Sequence, residues 1–347
     1  MPVKMGIIGY GGMAGWHHEH SAETPGLEVV AAYDIDPARI AKAQEKGLKG
    51  YDSLRQFLAD DSFELVLVAT PNDAHCRLVL DALDAGKHVV CEKPVTLTLR
   101  DIDRMIETAQ KNDRIFTVHQ NRRWDKDFRI ARDVLASETL GNVYSIQSRL
   151  HGSGGAMHGW RGEKKHGGGM LFDWGVHFID QAYTMCGWDA FTSVRCRTAN
   201  VKTTEVDDYF HLQFDRKDGG EYVVEIGTFV LKELPRWMLL GDQGTAYING
   251  FARSGGVITL DNAIEDEPVI VMTSAGPTRT FAPRPDGVKT ERELPDPDCH
   301  WTDYYKNVIA TIEGREELIV KPEQVRRVLA TILAAFRSAK TQKQIKL

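Results

Sequence analysis

The sequence predicts an α/β chain in two parts: residues 1–120 as a doubly wound parallel sheet, and residues 121–347 as an α+β domain on an open, mainly antiparallel sheet. Three observations predict it. Short apolar runs alternate with helical patterns as far as residue 120. A glycine-rich turn joins the first run to the first helix. Beyond residue 120, strand patterns follow one another across polar turns.

In the first part, residues 4–9 read as a strand and 12–22 as a helix. Strands at 27–33, 63–69, 88–91 and 115–119 then alternate with helices at 38–46, 75–84 and 99–110. Strand-helix alternation of this kind calls for parallel pairing through right-handed crossovers. In the second part, residues 143–150 alternate like a strand and 171–186 form a helix behind a glycine-rich loop. Strands at 209–214, 222–230, 237–240 and 245–248 are separated by turns such as Asp218-Gly219-Gly220 and Asp242-Gln243-Gly244, which indicates antiparallel pairing. Residues 261–297, rich in Pro, Asp and Glu, read as an irregular excursion, and helices at 302–313 and 322–340 return to brace the first domain.

Composition narrows the function. A formal net charge of −6 argues against nucleic acid or an anionic membrane surface as partner. No apolar run of about 18 residues is present to span a bilayer. The chain enters a strand at once, so no signal peptide is expected. Five scattered cysteines read as free thiols in a reducing cytoplasm.

Gly9-Tyr10-Gly11-Gly12-Met13-Ala14 matches the dinucleotide fingerprint of a Rossmann domain. Gly9 permits the turn, Gly11 lets a pyrophosphate approach the backbone, and Ala14 allows close packing of helix on strand. The helix start then offers N–H donors to phosphate. Asp34, 25 residues beyond Gly9, stands where an acid binds the adenosine ribose hydroxyls and repels a 2′-phosphate. NAD is therefore expected in preference to NADP, although Arg39 nearby suits NADP. Asp36 is expected to cap the helix opening at Pro37.

Val89-Val90-Cys91-Glu92-Lys93-Pro94 ends an apolar strand in a lysine, placing a cation at the ligand-binding edge of the sheet. Further on, Gly167-Gly168-Gly169 precedes Asp173 and His177, which share one face if a single helix carries both. A carboxylate beside an imidazole holds its tautomer and raises its basicity, as a general base needs. The glycines let that helix start lie close against another backbone or a cofactor. Arg122, Arg123 and Trp124 suit a polyhydroxylated substrate, whose hydroxyls need donors and whose C–H faces stack on aromatics. His17-His18-Glu19-His20 reads as a solvated or pyrophosphate-facing helix, with no metal, because adjacent residues on a helix diverge.

Taken together, these residues resemble the Gfo/Idh/MocA family of glucose–fructose oxidoreductases and inositol dehydrogenases over nearly the whole chain. The resemblance is carried by the fingerprint, Ala69-Thr70-Pro71-Asn72 with His75, Glu92-Lys93-Pro94, Trp160-Arg161, the glycine run with Asp173 and His177, and Glu313-Gly314 followed by Pro322-Glu323-Gln324. It implies that Lys93 stabilises developing alkoxide charge, that His177 removes the hydroxyl proton, and that Asp173 orients His177 and touches substrate. It also implies that Thr70, Pro71, Asn72, His75 and Glu92 lie beside the cofactor, that Trp160 and Arg161 approach cofactor and substrate, and that the peptide before Pro94 is cis. An NAD-dependent dehydrogenase of a sugar, polyol or glycoside hydroxyl is expected, assembled as a homodimer or homotetramer through the C-terminal sheet. A redox-neutral glycoside-processing enzyme that works through a transient keto-sugar, and a non-catalytic NAD-binding regulator, fit the same resemblance.

Overall fold

The computed structural model describes residues 1–155, 157–260, 270–278 and 287–347. Its first sheet holds β1 (Val3–Ile8), β2 (Leu27–Tyr33), β3 (Lys49–Tyr51), β4 (Leu65–Val68), β5 (His88–Cys91) and β6 (Phe116–Val118). They pair in parallel in the order β3-β2-β1-β4-β5-β6. The connecting helices are α1 (Gly12–Ser21), α2 (Pro37–Glu45), α3 (Leu54–Leu58), α4 (Asn72–Asp84) and α5 (Leu99–Lys111). β4 is wholly buried Leu-Val-Leu-Val, as a strand covered on both faces must be. Asp36, Ser53 and Thr98 cap α2, α3 and α5 with their side chains. The short β3 and α3 go beyond the sequence expectation, since three to five residues are too few to display a period.

Strand order reverses between β1 and β4, which opens a crevice at their carboxyl ends. Four segments leave strands along that edge: the fingerprint after β1, Ala69-Thr70 after β4, Glu92-Lys93 after β5 and His119-Gln120 after β6.

A second sheet runs β16-β13-β12-β11-β7-β10-β9-β8-β17. It comprises β7 (Val143–His151), β8 (Phe191–Ala199), β9 (Tyr209–Arg216), β10 (Glu221–Gly227), β11 (Trp237–Gly241), β12 (Gly244–Ile248), β13 (Gly255–Leu260), β16 (Lys289–Arg292) and β17 (Ile345–Lys346). Only β7 and β10 pair in parallel; the other neighbours are antiparallel. Much of the expected excursion at 261–297 lies outside the described residues, but β14 (Val271–Thr273) and β15 (Gly276–Thr278) form a hairpin and β16 joins the sheet.

One face of this sheet is apolar and covered by α6 (Lys126–Ala136), α8 (Gly175–Cys186) and α10 (Pro322–Thr341). α10 lies across both cores: Val325 and Leu329 pack with the first sheet, Val328, Ile332 and Ala335 with the second. α9 (Asp303–Ile312) buries Tyr304 and Tyr305 in the first core, so both closing helices pack against the first sheet.

The single helix expected at 171–186 is two helices, α7 (Met170–Asp173) and α8, broken at Trp174. The cause is local. In a continuous helix the Asp173 carbonyl would accept from His177 N–H. Here Lys93 Nζ takes that carbonyl at 2.8 Å, and His177 N–H turns to the Trp174 carbonyl at 3.0 Å.

Candidate active site

A cleft of about 620 Å³ lies along the carboxyl edge of the first sheet and is walled by both domains. Gly11, Gly12, Met13, Thr70 and Pro71 line it together with Lys93, Arg122, Trp160, Arg161, Asp173 and His177.

The fingerprint is built to receive an anion. Gly9 has φ +88, and a Cβ there would stand 2.6 Å from Thr70 Cγ2, so only glycine fits. Ala14, in the first turn of α1, is fully buried. No side chain caps the start of α1, which leaves its first N–H groups open to phosphate. Asp34 Oδ2 accepts from Tyr10 N–H at 2.7 Å and Oδ1 from Asp36 N–H at 2.9 Å. Each oxygen keeps a lone pair for a ribose hydroxyl, and Arg39 Nη1 stands 3.5 Å from Oδ2. Asp36 caps α2 through Ala38 N–H, as expected. These groups fit the pyrophosphate and ribose of NAD. The Tyr10 side chain turns instead into the core, with its hydroxyl on His18 Nδ1 at 2.7 Å.

Opposite stands the charged set. Lys93 Nζ donates to Asp173 Oδ1 at 2.9 Å and to the Asp173 carbonyl, leaving the third of its N–H donors. The Lys93-Pro94 peptide is cis. Arg161 Nε lies 3.3 Å from Asp173 Oδ2. Burial works against ionisation of Asp173, but the Lys93 and Arg161 charges outweigh it and hold the carboxyl below its ordinary range. The glycine run makes this contact reachable: a Cβ at Gly168 would sit 2.3 Å from the Arg161 carbonyl oxygen.

His177 is buried, and its partner is not Asp173. Gln120 Oε1 accepts from His177 Nδ1 at 3.0 Å, which leaves Nε2 as the basic lone pair. The expectation that Asp173 orients His177 is thereby corrected, because the break at Trp174 turns the two side chains to different partners. Burial, reinforced by the Lys93 and Arg122 charges, holds His177 well below the usual histidine range and so neutral. Arg122 stacks over Trp174 with Cζ 4.2 Å from the ring centre and pairs with Asp125 at 2.8 Å.

A second set beneath the cleft was not foreseen. Glu92 Oε1 accepts from His17 Nε2 at 2.8 Å and His119 Nδ1 at 2.9 Å, and Oε2 accepts from Lys93 N–H. The Tyr305 hydroxyl donates to His17 Nδ1 at 2.8 Å. Burial opposes the Glu92 charge, but the interaction with His119 and the hydrogen bonds from His119 and His17 prevail and hold the carboxyl well below its ordinary range. The expectation for the 17–20 stretch is corrected at His17, which faces the core rather than solvent or pyrophosphate. The His17, Glu92 and His119 ligand atoms lie within 4.8 Å of one another, but they are engaged in the hydrogen bonds just given.

Four other expectations also need correcting. His75 is fully buried between the Thr70 carbonyl, 2.8 Å from Nε2, and the Pro94 carbonyl, 3.0 Å from Nδ1; burial favours the neutral ring, which donates to one of the two, so it packs between two site loops and does not line the cleft. Asn72 Nδ2 donates to the His166 carbonyl, tying α4 to the glycine-rich loop. Arg123 is buried in a two-pronged pair with Asp180, both contacts 2.7 Å, and also donates to the Ile319 carbonyl and Gln324. Trp124 packs on Tyr304 in the first core. Adjacent residues of the Asn121–Trp124 turn point in different directions, so only Arg122 of the three reaches the cleft.

Comparison with known proteins shows the family to which the chain belongs. Residues 3–120 match the model of an oxidoreductase family with an NAD-binding Rossmann fold, GFO/IDH/MocA, and residues 128–247 match the C-terminal domain of that family. A crystal structure of an NAD-binding protein from Listeria innocua superimposes with a TM-score of 0.95 at 36% identity, covering 100% of this chain and 99% of that one. The scyllo-inositol 2-dehydrogenase (NADP(+)) IolW of Bacillus subtilis is 27% identical over 99% of this chain and 96% of its own length. An uncharacterized oxidoreductase, C115.03, of Schizosaccharomyces pombe is 33% identical over 61% of this chain, and the match spans 60% of that protein.

Proposed function

The chain belongs to the Gfo/Idh/MocA oxidoreductase family, and from that premise we propose that it is an NAD-dependent dehydrogenase acting on a secondary hydroxyl of a sugar, polyol or glycoside. The observation that carries the reading is the arrangement of Lys93, Asp173 and His177 around the same cleft as the fingerprint glycines. When bound, NAD supplies the hydride acceptor. The remaining N–H of Lys93 donates to the substrate oxygen and stabilises its developing negative charge. His177 Nε2 takes the hydroxyl proton, with Gln120 fixing the tautomer that leaves this nitrogen basic. Asp173 holds the Lys93 ammonium in place and, with Arg161, balances the charge of the site. Arg122 on Trp174 forms a polar and aromatic wall suited to a hydroxylated ring.

The test is NADH formation at alkaline pH, with NAD supplied against inositols, hexoses, sugar acids and glycosides. A signal with one class names the substrate type. Silence across the panel, with NADH binding demonstrated by its fluorescence, overturns the dehydrogenase reading. We further propose a homodimer or homotetramer through the second sheet. Its uncovered face and the adjoining crossover expose Tyr144, Leu231 and Leu234. A monomer by light scattering at micromolar concentration would refute that assembly.

A further inference from the structure

Beside the catalytic cleft lies a second hollow of about 610 Å³, and the two share Arg161, Asp173 and Trp174. Its chemistry differs. Leu150, Met157, Met170, Trp174 and Ile226 line it, together with glycines of the 152–155 loop. The hydroxyl edges of a free sugar would find few partners on such a wall, whereas a flat apolar ring would be sheltered by it over its whole face.

Two polar atoms stand unused in this lobe. His151 Nε2 and Thr228 Oγ1 are buried and have no hydrogen-bond partner among the described residues. Glu225 Oε2, at 3.8 Å from His151 Nε2, is beyond hydrogen-bond range, and the His151 side chain is only 2% exposed. The two residues are neighbours, since His151 at the end of β7 pairs with Gly227 at the end of β10. Burial lowers the tendency of His151 to take a proton, and in the neutral ring Nδ1 accepts from Leu234 N–H at 3.5 Å, which leaves Nε2 as the donor. Arg161 is the one Lys or Arg among the lining residues, and Asp173 already pairs with it. That balance disfavours a diphosphate.

We propose that this lobe receives a flat apolar aglycone bearing a hydrogen-bonding substituent, so that the substrate is an aryl glycoside whose sugar ring lies in the catalytic cleft. The assignment rests on the dehydrogenase reading above for the position of the sugar. The apolar side chains cover the ring faces, and His151 with Thr228 meets the polar edge. The mixture of an apolar lining with a few unpartnered polar groups is that of a small-molecule site.

The experiment is calorimetric titration of NADH-loaded protein with 4-nitrophenyl and methyl glycosides matched in sugar, with UDP-glucose as a third probe. The expected result is an aryl member binding at least about tenfold tighter than its methyl partner, a factor that partial burial of one ring supplies. Gly154→Phe introduces bulk at a lining position where an added Cβ meets nothing within 4 Å. It should collapse the aryl-to-methyl ratio towards one, and a ratio taken within each protein does not depend on the folded fraction. Equal binding of the matched pair, or tighter binding of UDP-glucose, overturns the proposal. NADH formation from methyl glycosides without aryl preference sinks the lobe and leaves the dehydrogenase. Aryl-selective binding without NADH formation keeps the lobe and sinks the dehydrogenase.

Discussion

Asp173 and His177 are four residues apart, yet the Asp173 carboxylate sits on Lys93 Nζ at 2.9 Å while His177 Nδ1 sits on Gln120 Oε1 at 3.0 Å. The site therefore has two supported groups, a cation fixed by a carboxylate and a base fixed by an amide. Lys93 also takes the Asp173 carbonyl, so the same contact that holds the cation interrupts the helix.

Replacing Lys93 separates its two roles from cofactor binding. Lys93→Met removes the donor to the substrate oxygen but leaves the fingerprint and Asp34 untouched. Turnover should fall by at least about 10²–10³-fold, the cost of losing a donor at a developing oxyanion. NADH affinity by fluorescence titration should stay within roughly threefold, a change of less than 1 kcal/mol. Full activity in this variant would remove Lys93 from the mechanism.

Gln120 gives the base assignment its own test. Gln120→Leu should lower kcat/KM by roughly tenfold to a hundredfold, less than the 10²–10⁴-fold that a positioned base contributes. The pH profile adds a sign. Burial and the Lys93 and Arg122 charges disfavour the His177 imidazolium, so the acid limb of kcat/KM should fall well below pH 6.5. Gln120→Glu places an anion on Nδ1, favours the imidazolium, and should move that limb upwards. An acid limb that stays put in this variant would assign the proton transfer elsewhere.

Arg123 is expected to matter for folding alone. Its charge is buried against Asp180, and Arg123→Leu leaves that carboxylate without its partner. Breaking such a pair from one side costs about 3–5 kcal/mol. Denaturant unfolding should show a loss of this size, with KM for substrate unchanged in the folded fraction. A raised KM at wild-type stability would return Arg123 to the substrate site.

The parallel sheet and the crevice were legible because each depends on a local pattern: wholly apolar β4, the fingerprint after β1, the acid after β2. Lys93 was legible because a cation at a strand end is unusual. In the site, what escaped the sequence is what long-range packing decides. Glu92 meets His17, 75 residues away, and His119, 27 residues away, and no spacing rule connects them. Gln120 carries no signal of its own, since a glutamine after a strand reads as surface. Arg122, Arg123 and Trp124 have similar chemistry in one line, and only the turn geometry decides which of them faces the cleft.

Asp207 supplies a prediction about stability. Its Oδ2 accepts from Leu171 N–H at 2.8 Å, capping the start of α7 that carries Asp173. Burial outweighs that hydrogen bond and, helped by the adjacent Asp208 charge, pushes the carboxyl up to about 6 from 3.8. A carboxyl raised on folding favours the native state when protonated. Its contribution is complete below the unfolded value near 4 and is lost as pH rises through about 6. The shift is about two pH units, so the fold carries an ionisation cost of about 3 kcal/mol at pH 7.5. Asp207→Asn keeps an acceptor for Leu171 N–H and cannot ionise. Its Tm should exceed that of the wild type at pH 7.5, and the difference should shrink to nothing near pH 4. A pH dependence identical in both proteins would show that the carboxyl is solvated, and that the cap, not the charge, is what Asp207 contributes to α7.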